Sequence, residues 1–414
     1  MVLVFMVSCF KFKLPVGIAM VLAAISGTLI AGEGVPIRHL VEGTFGYIDT
    51  ILVISTAMIF MKIVEKSGAL NALNTVFINK FHKQPALLLV FLMIIVMFPG
   101  MITGSSTAAV LTAGSLVAPV LIMMGIPVVN TAAIIAIGGM MGMIAPPVNV
   151  PVMIIGGGID MPYVGFEIPL LLMSVPVAIF SVLFLGHKYV KNLNYEELKM
   201  KLDIDLDKKY GWTIYIPILV VIVLMVSTKM LPEYLPNLGL PLIFLIGSIV
   251  GVFTGEKFNL FKTTKEAVNS ALPVMGILIG VGMFIQVMTL TGVRGFIVVN
   301  SLSLPTVLLY VGIAITIPLF GAISSYGSAS VLGVPFVLAL LSQDQIITAA
   351  ALSLIASIGD LMPPTALAGM FAAQVVGVEN YVDVLKKTMI PAAVIIASGI
   401  LFIVFSNPLA SLIF

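Results

Sequence analysis

Two tandem prolines, Pro146-Pro147 and Pro363-Pro364, interrupt apolar runs long enough to cross a bilayer, and this limits the fold more than any other feature. Proline lacks the backbone donor and its ring clashes with the preceding turn, so each pair breaks a helix and frees carbonyls. In hydrocarbon those carbonyls need protein or ion partners, because no water is available to take them. The two breaks are also copies of one another. Residues 131–147 (TAAIIAIGGMMGMIAPP) align without a gap on residues 348–364 (TAAALSLIASIGDLMPP), an offset of 217 (348 − 131). Breaks at corresponding places in two halves point to the binding site of a repeat-built secondary carrier.

Composition places the chain in a membrane. Of its 414 residues 60% are hydrophobic and 9% charged, with mean hydropathy +1.21. A soluble domain carries roughly 25% charged residues, and this chain has too few to cover a soluble surface. The net charge of +2 says nothing about nucleic acid, and with no basic stripe in the sequence no nucleic-acid partner is expected. The single cysteine, Cys9, excludes an internal disulfide and a cysteine-based metal site. Lys11 and Lys13 follow the first apolar stretch, the reverse of a secretory signal, so residues 1–10 read as part of, or entry to, the first membrane segment. No Gly-rich phosphate loop is present, His39, His82 and His187 are scattered, and no nucleophile–base arrangement assembles. Neither an enzyme nor a cofactor is expected.

Apolar stretches near spanning length fall at about 14–30, 47–64, 128–145, 169–185, 212–228, 240–253, 271–290, 346–362 and 389–405. Two longer ones, 85–124 and 304–341, carry a Gly/Ser/Thr cluster near the middle and read as hairpins that enter, turn and return on the same side. The charged stretch from His187 to Lys209 divides the chain into a first repeat (1–186), a cytoplasmic linker (187–211) and a second repeat (212–414). The Lys/Arg distribution places Lys62, Lys66, Lys80, Lys83, Lys257, Lys262, Lys265, Lys386 and Lys387 in the cytoplasm, and Arg38 and Arg294 outside. Traced through these anchors the first hairpin enters from the cytoplasm and the second from outside, an inverted repeat. Segments 65–83 and 294–303 read as amphipathic arms at the interface. The expected fold is an all-α polytopic membrane protein with two re-entrant hairpins and two Pro-Pro-broken spanning helices.

The hairpin tips repeat as well. Residues 100–111 (GMITGSSTAAVL) pair with 321–332 (GAISSYGSASVL), an offset of 221 (321 − 100). Thr103, Gly104, Ser105, Ser106 and Thr107 in one tip, and Ser324, Ser325, Tyr326, Gly327 and Ser328 in the other, offer oxygens with little bulk. An alkali cation needs such ligands. A helix opened inside the membrane also presents carbonyls to a cation at one end and N–H groups to a carboxylate at the other. Small residues serve close helix packing too, but recurrence at equivalent positions, each followed by a break, favours a site. Asn149 and Thr365 lie just beyond the breaks, with Pro151 and Gly156–Gly158 expected to prolong irregular backbone after the first. Asp360, whose repeat mate is Met143, is a carboxylate within a span and therefore a candidate cation ligand or proton carrier. Candidate substrate contacts are Ser106, Thr107, Asn149, Tyr326, Ser328 and Thr365. Glu33, Glu42, Asp49, Asp160, Glu167 and Glu379 read as interfacial, and Lys62 and Lys66 as snorkelling cations.

Residues 40–70, the GMITGSS tip, the P-x₇-P element Pro119–Pro127, the APPVNVP break and the IASIGDLMPP break together resemble the large membrane subunit of TRAP (tripartite ATP-independent periplasmic) transporters, essentially end to end. The resemblance implies an elevator-type, Na⁺-coupled importer of small organic anions of the carboxylate or dicarboxylate class in the inner membrane. It implies two protein partners, a small membrane subunit and a periplasmic substrate-binding protein, and leaves the oligomeric state open. The cation ligands it implies lie around Gly104, Ser105, Ser106, Pro147 and Asn149, and around Ser325, Gly327, Pro364 and Thr365. Ala109 stands where an acidic residue is common, no acid occupies the Ser324–Ser325 region, and Val148 replaces the usual polar residue after the first Pro-Pro. Two alternatives are a stand-alone organic-anion symporter or exchanger of the same superfamily and a channel. Paired broken helices with few charges fit alternating access better than a charge-lined filter.

Overall fold

The computed structural model describes residues 1–190, 209–231, 234 and 236–414, so most of the 187–211 linker lies outside the described residues. All regular elements among the described residues are helical. In the first half α1 (Val2–Phe10), α2 (Val16–Ala31), α3 (Ile37–Phe45), α4 (Ile48–Lys66) and α5 (Ala69–Phe81) come first. Helices α6 (Pro85–Thr103) and α7 (Ser106–Met123) form a hairpin, α8 (Val128–Ile144) and α9 (Val150–Gly158) flank the first break, and α10 (Glu167–Gly186) ends the half. The second half runs α11 (Ile216–Met230), α12 (Gly239–Val252), α13 (Leu260–Leu290) and α14 (Val293–Leu302). A second hairpin of α15 (Thr306–Gly321) and α16 (Ser325–Ala339) follows, then α17 (Gln345–Ser357) and α18 (Leu367–Val376) around the second break, α19 (Tyr381–Val404) and α20 (Ser406–Ile413).

Among the described residues six helices are long and apolar enough to cross a membrane, and the pair α3–α4, bent by 41°, makes a seventh if counted as one span. The span expected at 271–290 is longer than that. It starts at Leu260 and runs 31 residues, about 46 Å at 1.5 Å per residue, overshooting a hydrocarbon layer of about 30 Å. Its N-terminal turns therefore carry Lys262 and Lys265 beyond the apolar zone. The segments read as interfacial arms are the short helices α5 and α14, each entered through a left-handed glycine, Gly68 or Gly292.

Two groups of helices emerge from the packing. Helices α2, α3 and α4 lie against the long α13, with α12 on α4 and α11 on α12; we call this group the frame. Helices α6–α10 and α15–α19 pack on one another as a core. Glycine allows the closest approaches in both. A Cβ on Gly282 would stand 2.0 Å from the Gly43 carbonyl oxygen, and one on Gly359 would stand 2.1 Å from that of Gly321. Without a hydrophobic force between helices in lipid, such close packing holds them together.

The first break differs from the irregular stretch expected there. Asn149 Oδ1 accepts from Val152 N at 2.9 Å and caps α9, while Pro151 occupies the first turn, where its missing N–H is harmless. The chain therefore restarts as a helix at once and includes Gly156–Gly158. Both Pro-Pro bonds are cis.

The tips also shift the repeat register. Gly100 packs on Gly142 as Gly321 packs on Gly359, keeping the offset of 221 at that level. The residues that cap the returning helices are Ser105 and Ser324, an offset of 219 (324 − 105), and the π-turns Val110–Gly114 and Ala329–Gly333 share it. The first hairpin thus has two more residues between packing glycine and cap. Ser106 corresponds to Ser325, and Thr107 to Tyr326.

Candidate functional site

The tips meet. Tyr326 Oη donates to the carbonyl oxygen of Gly104 at 2.8 Å, joining the second hairpin to the first. Each tip restarts its helix on a serine cap. Gly104 adopts φ +64°, a left-handed turn that ends α6, and Ser105 Oγ accepts from Ala108 N at 3.2 Å to start α7. Thr103 Oγ1 steadies the turn, donating to Pro99 O at 2.7 Å and accepting from Ser105 N at 3.3 Å. In the second tip Ser324 Oγ accepts from Gly327 N at 3.2 Å.

Asp360 sits where the tips converge, 5% exposed. The Ser106 hydroxyl donates to its Oδ2, and the Ser325 hydroxyl is its second side-chain partner. These are the residues that the corrected register makes equivalent, one from each hairpin. Among the described residues no ion pair involves Asp360. If ionised, a buried carboxylate with hydroxyl partners would carry an uncompensated charge, which low-dielectric surroundings make costly.

Beside Asp360 opens a cavity of about 570 Å³ between core and frame. Thr103, Ser105, Ser106, Thr107, Ser324, Ser325, Tyr326, Asp360 and Thr365 line it from the core. Helices α4 and α13 form the facing wall, with Met58, Met61, Lys62, Glu65, Ser270 and Pro273. The N-termini of α7 and α16 stand at the same place, so their free N–H groups lie beside the hydroxyls. Thr365 Oγ1 donates to Ala322 O at 2.8 Å, tying the second break to its own hairpin.

Other expected site residues lie elsewhere. Asn149 is fully buried away from this cavity, its Nδ2 donating to Ile144 O at 2.8 Å and to Ser353 Oγ at 3.0 Å. Its amide clamps the first break to α17. Ser328 is fully buried and donates to Ile317 O at 2.7 Å. Gly327 packs near Met20 and Phe5. Pro364 lines neither cavity, and Pro147 lines a second one of about 540 Å³ at the other end of α4, with Tyr47, Asp49, Glu167 and Lys229. There Lys229 Nζ meets Glu167 Oε1 at 2.5 Å. Sequence reasoning missed Lys62 and Glu65 on the first cavity's wall. A charged residue within an otherwise apolar helix was the available signal for Lys62, and which way it faces depends on how α4 packs.

Residues 3–409 match the model of the family described as "Tripartite ATP-independent periplasmic transporter, DctM component". The chain belongs to the DctM family. It is therefore a membrane component of an ATP-independent transporter system, and the family is one of transporters rather than enzymes. Among solved structures, the crystal structure of the YdaH transporter of Alcanivorax borkumensis, described as having an unusual topology, is similar at TM-score 0.59 and 15% identity. The match covers 89% of this chain and 87% of that one, and shows a shared fold. No curated protein matches the sequence. In this chain both hairpin tips and Thr365 of the second break line the cavity at the junction of the two helix groups.

Proposed function

We propose that this chain carries a small organic anion, a carboxylate or dicarboxylate, across the inner membrane into the cell, driven by a Na⁺ gradient. The observation that carries the reading is Asp360: a carboxylate 5% exposed, held by one serine from each hairpin and, among the described residues, in no ion pair. Such a group calls for a cation. Hard cations take oxygen ligands, and Ser105, Ser106, Ser324 and Ser325 stand with it on one cavity wall. A bound cation would in turn offset the charge of an anion in the adjacent cavity, whose volume of about 570 Å³ is within the range of small-molecule sites. Coupling then follows from electrostatics, since the anion is retained only when the cation is present.

An elevator movement suits the arrangement. The oxygens belong to the core and the opposite wall to the frame, so sliding the core along α4 would carry the site from the Met58–Glu65 end toward the Asp49–Val53 end, where the second cavity lies. A small membrane subunit and a periplasmic binding protein would complete the system, with the lipid bilayer around the exposed apolar faces. Sodium-dependent thermal stabilisation of the purified chain tests the reading. Saturable stabilisation by Na⁺ that K⁺ and choline at equal ionic strength fail to give is expected. Equal stabilisation by all three would sink Na⁺ coupling.

A further inference from the structure

One charged pair on the cavity wall has no part in the cation site. Lys62 Nζ lies 3.0 Å from both carboxylate oxygens of Glu65, one helical turn along α4, and the two side chains are 24% and 27% exposed. An i,i+3 pair on an open helix surface is worth little. This pair faces the cavity, and among the described residues Lys62 is the sole basic group on its wall. The core side offers the carboxylate of Asp360 and neutral hydroxyls. An anion entering the cavity thus finds one fixed positive charge, and Glu65 already holds it.

We infer that Lys62 binds the carboxylate of the transported anion, and that Glu65 takes its place when the cavity is empty. The inference rests on the organic-anion reading above and names the group that recognises the charge. Exchanging one carboxylate for another at Lys62 keeps the ammonium paired throughout. A lysine only 24% exposed and left bare would have lost hydration without gaining a Coulombic partner, so the exchange avoids an unfavourable intermediate. Lys62 belongs to the frame and Asp360 to the core, so the anion bridges the two groups while it occupies this cavity. Glu65 sets how tightly the anion is held, because it competes for the same ammonium.

Thiol protection tests this. Met58 precedes Lys62 by one turn on the same wall, and Met58→Cys in a Cys9→Ser background reports occupancy through its rate with the neutral reagent N-ethylmaleimide. Acetate, succinate and citrate serve as probes in sodium buffer. At least one is expected to slow labelling. Lys62→Gln should then raise the half-protecting concentration roughly tenfold or more, the scale of a hydrogen-bonded charge, and Glu65→Gln should lower it. Lys62→Arg keeps the charge, should keep protection, and stands in if Lys62→Gln does not fold. Protection unaltered in both neutral variants, or weakened in both, overturns the inference and leaves the anion reading standing. If no carboxylate protects the protein with Lys62 and Glu65 intact, the anion reading itself falls.

Discussion

Replacing Asp360 with asparagine isolates charge from shape, because the amide keeps the volume and an oxygen that can accept from Ser106. Two effects of opposite sign follow. Without cation, Asp360 is a carboxylate 5% exposed with hydroxyl partners alone. Its neutral replacement removes the cost of burying that carboxyl's charge, so the sodium-free variant should be at least as stable as the unaltered protein. With cation, the variant loses on the order of 1.5–3 kcal/mol of binding, the scale of hydrogen bonds to charged groups. That is about a tenfold to hundredfold rise in Kd. At a sodium concentration about 100 times the original Kd, binding stabilises the unaltered protein by about 2.7 kcal/mol. A hundredfold weaker site at that same concentration gains only about 0.4 kcal/mol. Thermal unfolding in sodium and in choline reads both effects. The sodium increment should collapse while the sodium-free Tm holds or rises. An unchanged increment refutes Asp360 as the cation's counter-charge. Sodium dependence intact but pH dependence lost would make Asp360 a proton carrier instead.

Three further outcomes are expected. Tyr326→Phe removes the bond between the tips and strands the buried Gly104 carbonyl, costing about 1–3 kcal/mol; hydrogen exchange over residues 102–108 should quicken, and unchanged exchange argues against the contact. Gly359→Ala puts a Cβ 2.1 Å from Gly321 O, whereas one on Gly276 meets nothing within 4 Å. Size-exclusion profiles should show loss of folded protein for the first and not the second, and equal profiles contradict the packing. Cysteines placed at Lys80 and Arg294 in a Cys9→Ser background should label from opposite sides of the membrane, and labelling from one side would defeat the inverted arrangement.

The class of fold was legible because its signals are local. Run length, tandem prolines and clusters of Ser and Gly need no tertiary information, and they located the two hairpins and both breaks. The tip register was not legible. A gapless alignment matches Gly100 to Gly321, and only the capping bonds of Ser105 and Ser324 reveal two extra residues in the first tip. Asn149 shows a second limit: a polar residue after a break suits a ligand and a helix cap equally, and its three hydrogen bonds make it a cap. Lys62 shows a third. Whether a lysine in an apolar helix reaches for the interface or faces a cavity depends on how α4 is rotated against α13, which the sequence of α4 does not encode. Helix α18, at 10 residues, was too short to stand out as a span.

The most direct test of the central claim is uptake into sealed, ATP-free membrane vesicles that contain this chain with its two partner proteins. The probe is a radiolabelled carboxylate that protects Met58→Cys. With an inward Na⁺ gradient the account predicts accumulation above equilibrium, abolished by collapsing the gradient and displaced to higher sodium concentrations by Asp360→Asn. Accumulation that persists without a sodium gradient, or that requires ATP, would contradict it.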